Sequence, residues 1–68
     1  MAERLANRLK SEREARGWTQ AELAARVGVS RKTINTVENR IFVPSTLLAL
    51  KLAEAFELSV EQLFSVER

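Results

Sequence analysis

The sequence of 68 residues has no Cys, no His, no Tyr and no Asp, and only two Gly and one Pro. Without Cys there is no disulfide and no thiolate for a metal. Without His there is no imidazole base and no imidazole ligand for zinc or haem. Nine Glu are then the only acidic side chains. Most catalytic mechanisms lose their central residue here, so no enzyme, no cofactor and no metal is expected, and a binding module leads. No apolar run approaches the ~20 residues that cross a bilayer, and no signal-peptide pattern opens the chain. A cytoplasmic address is expected, with no membrane partner and no small-molecule ligand.

What remains is short, basic and rich in Leu and Ala. A chain of this size makes one domain, here taken as residues 1–68, which buries only about 60% of its unfolded surface. The charge is unevenly placed. Residues 1–40 carry nine of the eleven bases against five Glu, whereas residues 41–68 carry Lys51 and Arg68 against Glu54, Glu57, Glu61 and Glu67. The net +2 thus joins a basic half, suited to a polyanion, to an acidic half with another task. Eight of the bases are Arg, the side chain whose planar fork fits phosphate and guanine.

Gly17, Gly28 and Pro44 are the only strong punctuation, and no alternating strand-like run appears. The expected fold is all-α with five short helices. The first runs from about Glu3 to Arg16 and stops at Gly17. The second starts in the capping box Thr19-Gln20-Ala21-Glu22 and ends at Val27 before Gly28. Ser30 caps a third helix of about 31–39. A loop follows at 40–44, where Pro44 holds Val43 out of helical geometry. Ser45 caps the fourth helix, to about Phe56, and Ser59-Val60-Glu61-Gln62 opens a short fifth through Phe64. Helices four and five, about 45–64, are expected to close the core.

Residues 20–39 are two helices joined by Gly28-Val29-Ser30, the short Gly-containing connection of a helix-turn-helix. Leu23, Ala24 and Val27 form the apolar face of the first, and Val29 can plug the turn. On a helical wheel of ~100° per residue, Ile34 and Val37 turn the second helix toward the core. Arg31, Lys32, Asn35, Thr36 and Asn39 share one polar arc, and Glu38 lies off it. These head groups suit base edges: Arg and Lys donate to guanine O6 and N7, Asn pairs with adenine N6 and N7, and Thr offers a hydroxyl and a methyl. A solvated helix face is the plain alternative, and the adjoining turn and caps favour the DNA reading.

Gly17-Trp18-Thr19-Gln20-Ala21-Glu22-Leu23-Ala24, Val27-Gly28-Val29-Ser30, Thr33-Ile34, Glu38-Asn39 and Pro44-Ser45 resemble the Xre-type helix-turn-helix family. Phage repressor and Cro proteins and many small bacterial regulators belong to it, and the likeness spans roughly residues 5–64. It implies a sequence-specific regulator of transcription that binds double-stranded DNA, with RNA polymerase as a further partner. Carried over by position, Ser30, Arg31, Lys32 and Thr36 reach base edges, and Asn35 between them can join. Thr19 and Gln20 at the opening of the second helix, with Asn39 and Arg40 after the third, meet phosphates; Gln20 also buttresses the reading helix. Arg13 continues the spacing of Leu5 and Leu9, and relatives often pair Arg with Glu at these places. A partly buried Arg13–Glu38 salt bridge is therefore expected, with Trp18 in the core rather than stacked on a ligand.

The sequence departs from the family where many relatives carry Gly after "EN" and again before the last cap. Arg40 and Glu57 stand there. A different path for the 39–43 loop is expected, since a positive φ is costly for these residues. Ile41-Phe42-Val43 make that loop unusually apolar. Leu47 and Leu50 lie off the core stripe of Leu48, Leu52, Ala55 and Phe56, and a two-fold homodimer through this half would read inverted half-sites. The competing readings are weaker. An antitoxin-type interaction protein needs a partner-binding segment, and Ser65-Val66-Glu67-Arg68 offers little length. The nearest Ser/Lys pair, Ser30 and Lys32, opens a surface helix with no apolar pocket in view.

Overall fold

The computed structural model describes residues 3–68. Along the chain it places β1 (Arg4–Asn7), α1 (Leu9–Ala15), α2 (Gln20–Val27), α3 (Arg31–Glu38), α4 (Thr46–Phe56), α5 (Val60–Leu63) and β2 (Phe64–Glu67). Four of the helices start where a hydroxyl side chain accepts a hydrogen bond from the third helical N–H: Thr19, Ser30, Ser45 and Ser59. Thr19 with Glu22 and Ser59 with Gln62 complete reciprocal capping boxes. In the first box the Thr19 backbone N–H donates to the Glu22 carboxylate at 2.9 Å and lowers its pKa.

The chain is mostly helical, and the all-α expectation is corrected at its two ends. β1 and β2 form an antiparallel two-stranded sheet in the register Arg4↔Glu67 to Asn7↔Phe64. Glu3 to Arg8 is composed of helix formers and was expected to be helical, yet α1 begins only at Leu9. Asn7 is the cause. Its Oδ1 accepts the Leu9 N–H at 3.1 Å, an Asx turn around the cap position Arg8, while its Nδ2 donates to the Val37 carbonyl at 3.0 Å. Arg8 N–H then donates to the Leu63 carbonyl at 2.9 Å, joining the starts of both departures from helix. At the other end Phe64 is extended (φ −123°, ψ 147°), so α5 stops at Leu63. Leu5 therefore reaches the core from a strand, while Leu9 and Arg13 share the buried face of α1.

Leu9, Leu23, Ile34, Val37, Leu52, Phe56 and Leu63 are fully buried and draw on every helix. Each such side chain contributes about 1.5–3 kcal/mol relative to exposure. Ala24 is buried at the approach of α2 to its neighbours, and Val29 packs over the turn.

Four helices end in the same way. The left-handed residue after the last turn is Gly17, Gly28, Arg40 and Glu57 in order, with φ between 57° and 76°. In each case the next N–H reaches back five residues: Trp18 to Arg13, Val29 to Ala24, Ile41 to Thr36 and Leu58 to Ala53. This is the Schellman closure, in which glycine is favoured because a Cβ is penalised at positive φ. The expected change of path after α3 is thus not found. Arg40 and Glu57 keep the closure and carry the strain, because the half-buried Leu58, packed against the core, and the α3 carbonyls fix the turn. Glu57→Gly should stabilise the domain by about 0.5–1 kcal/mol, the relieved left-handed strain less the added chain entropy. Chemical denaturation checks this, and an unchanged or lower midpoint would contradict it.

Candidate nucleic-acid interface

α3 owes its orientation to two opposite faces. Ile34 and Val37 are buried, while Arg31, Lys32, Asn35 and Asn39 are exposed on the other side, with Thr36 half-buried between. The turn Gly28-Val29-Ser30 sets α3 against α2, with Gly28 at φ 76°.

The link between the two faces is Glu38. Its carboxylate accepts Arg13 Nε at 2.8 Å and Arg13 Nη2 at 3.2 Å, a forked pair with side-chain exposures of 10% for Arg13 and 3% for Glu38. Arg13 Nη1 donates to the Trp18 carbonyl at 2.8 Å. The hydrogen bond to Glu38 raises the guanidinium pKa, so Arg13 stays charged. Glu38 Oε1 accepts a further bond from Gln20 Nε2 at 3.1 Å. Gln20 Nε2 also reaches Asn35 Oδ1 at 3.2 Å. Asn39 Nδ2 donates to Asn35 Oδ1 at 3.1 Å and to the Asn35 carbonyl at 2.9 Å. One continuous network therefore runs from the core side of α1, through the first residue of α2, to the outer face of α3.

The other expected site residues are placed as follows. Ser30 Oγ accepts the Thr33 N–H at 3.1 Å and shares a bond with Thr33 Oγ1 at 3.0 Å, so its hydroxyl serves first as a cap. Thr36 Oγ1 donates to the Thr33 carbonyl at 3.0 Å, which leaves its methyl and lone pairs. Thr19 stands at the exposed start of α2 with its oxygen engaged in the capping box. Arg40 is turned toward the C-terminal strand, where its Nη1 meets both oxygens of Glu67 at 3.1 Å. Leu47 and Leu50 are exposed on α4.

The surplus of bases in residues 1–40 is not all available to a polyanion. Arg13 is buried. Arg8 and Arg16 pair with Glu12 at 2.9 and 2.8 Å. Arg16 also donates to the Phe56 carbonyl at 2.8 Å. Arg26 lies 4.0 Å over the Trp18 ring, which stacks on Phe56 at 5.5 Å. Trp18 is half-buried there, against the core. Arg31 and Lys32 are exposed and form no ion pair among the described residues. Sequence reasoning missed Asn7, whose signal was an Asn two residues before Leu9, suited to an Asx turn, and the Gln20–Glu38 bond, which no periodicity reveals.

Removing one partner of the Arg13–Glu38 pair leaves a poorly solvated charge. Arg13→Met or Glu38→Leu alone should cost about 3 kcal/mol in a denaturant titration, and the double variant should recover most of it. Additive losses would show that the two charges are not compensating one another.

Residues 9–63 match the family model described as Helix-turn-helix. An uncharacterised HTH-type transcriptional regulator of Bacillus subtilis, YgzD, is 41% identical over 61 residues, 90% of this chain and 92% of that protein. Antitoxin HipB of Escherichia coli K12 is 38% identical over 56 residues, 82% of this chain and 64% of the antitoxin. Among solved structures, the restriction-modification controller protein C.AhdI from Aeromonas hydrophila superposes with a TM-score of 0.77 at 33% identity, covering 81% of this chain and 83% of that one. The master regulator for biofilm formation SinR, solved in complex with DNA, gives a TM-score of 0.73 at 27% identity over 79% of this chain and 87% of that chain. An exposed polar face on a helix locked by a buried ion pair, within a matching sequence and fold, places this chain in the Xre-like helix-turn-helix family of DNA-binding transcriptional regulators.

Proposed function

We propose that α3 enters the major groove of double-stranded DNA and reads sequence there. The observation that carries this is the outer face of α3. Arg31 and Lys32 project without ion-pair partners among the described residues, beside Asn35 and Thr36, from a helix held rigidly to α1 and α2. Ser30, Arg31, Lys32, Asn35 and Thr36 contact base edges in this reading. Thr19 and Arg40 flank the groove and hold the phosphates, with Gln20 joining through the open backbone N–H at the start of α2, because the side-chain N–H bonds of Gln20 and Asn39 are already given to Glu38 and Asn35. Phosphate contacts set register and affinity rather than sequence. SinR has been solved on DNA, and this chain shares its fold.

Arg31→Ala and Lys32→Ala should each change which sequences are preferred, by about 1–3 kcal/mol per lost forked contact. Arg40 is shared with Glu67, so Glu67→Gln frees it for a phosphate and removes a negative charge. That variant should raise affinity for all sequences alike and steepen the salt dependence. Binding of a randomised duplex library, sequenced after selection and repeated at two salt concentrations, separates these effects. Identical behaviour of the three variants would overturn the division into reading and positioning residues.

The regulator acts as a two-fold homodimer on an inverted repeat in this proposal. Ile41, Phe42, Val43, Leu47 and Leu50 are all exposed apolar side chains, with Ile41 76% and Leu47 65% exposed, and Phe42 and Leu47 line one shallow hollow. A surface of this kind is unusual for a chain that works alone. Leu47→Glu combined with Leu50→Glu should give a single-chain mass in light scattering and weaken operator binding. A single-chain mass for the unaltered protein at micromolar concentration would sink the dimer. The likeness to antitoxin HipB supports a second reading, in which the same apolar surface holds a different protein and DNA binding is autoregulatory. Cytoplasmic action and a contact with RNA polymerase belong to the same proposal.

A further inference from the structure

The amide network fixes which atoms Asn35 presents to DNA. An amide side chain fits a site in either of two orientations until a neighbour of fixed character selects one. Glu38 is such a neighbour, because its carboxylate only accepts. Gln20 must turn Nε2 toward it, at 3.1 Å, and the same nitrogen then faces Asn35 at 3.2 Å. Asn35 must answer with an acceptor, its Oδ1. The backbone carbonyl of Asn35 is also acceptor-only and takes Asn39 Nδ2 at 2.9 Å, which brings that same nitrogen to Asn35 Oδ1 at 3.1 Å. A carbonyl oxygen has two lone pairs, and both on Asn35 Oδ1 are now occupied. Its two N–H bonds have no partner among the hydrogen bonds of the described residues.

An asparagine pairs with adenine by accepting from N6 through its oxygen while donating to N7. Asn35 has no free oxygen for that exchange. It offers donors alone, and in the major groove only guanine presents two adjacent acceptors, N7 and O6. Adenine sets an N6 donor beside its N7, and cytosine shows an N4 donor, so both oppose an amide that can only donate. We infer that Asn35 selects guanine rather than adenine, and that Glu38 is a positioning residue for this choice, acting through Gln20. The inference rests on α3 being the reading helix.

The test uses the full chain and the randomised duplex library. The operator position that Asn35→Ala makes indifferent identifies the base opposite Asn35. In the unaltered protein, guanine should exceed adenine there by about fivefold or more, the lower end of a good base contact. Gln20→Ala combined with Asn39→Ala releases Oδ1, and adenine should then rise at that one position. Preferences at the positions changed by Arg31→Ala and Lys32→Ala should persist. Overall affinity falls in the double variant, so the readout is the ratio of bases within each selection. Thermal melting confirms that each variant is folded. Adenine in the unaltered selection overturns the inference, as does an Asn35→Ala variant that alters no position. Guanine retained in a folded double variant overturns the role of the network. A library with no preferred sequence at all instead removes the reading of α3 on which the inference stands.

Discussion

The forked pair of Arg13 and Glu38 is the interaction on which the arrangement depends. It lies where α1, the turn into α2, and the end of α3 meet, and its two charges are almost withdrawn from water. An ion pair in such a place is not a cheap source of stability, because desolvation cancels much of the attraction. What it supplies is geometry. A guanidinium fork donates to a carboxylate in one plane, so the last turn of α3 cannot rotate about its axis without breaking two charged hydrogen bonds. The apolar contacts of Ile34 and Val37 hold α3 in place, and the pair fixes its angular setting. That setting decides which side chains face outward.

The same carboxylate serves the surface. By accepting from Gln20 it sets one amide, and through that amide a second, on which a third, held by the Asn35 carbonyl, also closes. A rigid face is formed from Asn and Gln side chains that would otherwise rotate in solvent. Order passes from a buried charge to an exposed edge over three hydrogen bonds, and this is how a domain with a small core can present a defined pattern of donors. Arg31 and Lys32 are outside that network. They are long, exposed and without ion-pair partners among the described residues, suited to adapt to a phosphate or base once the helix has been seated.

Much of this was legible from local chemistry. Thr19, Ser30, Ser45 and Ser59 announce helix starts because a hydroxyl before an apolar run satisfies an otherwise orphaned N–H. Gly17 and Gly28 announce helix ends for the complementary reason. The face of α3 followed from its period. Three features did not follow. Residues 4–7 have helical propensity and form a strand, because a partner some sixty positions away in sequence outweighs a few tenths of a kcal/mol per residue. Arg40 and Glu57 occupy left-handed turns that propensity would refuse, since the surrounding hydrogen bonds determine the turn and the residue conforms. The charge surplus of the first forty residues overstated what DNA could meet, because pairing within the fold is invisible in a count of bases.

The strand pair at the chain ends has a meaning for the order of folding. Joining segments so far apart would cost roughly 3–4 kcal/mol in loop entropy if it came first, far more than a four-residue ladder could offset. That cost vanishes once Leu9 and Leu63 are packed, since the bond from Arg8 to the Leu63 carbonyl already holds the two ends together. The ladder is therefore a late event that depends on a completed interior. Its amide protons between Arg4 and Glu67 act as a gauge of the joint between the start of α1 and the end of α5: they are protected from exchange only while those two ends are held together.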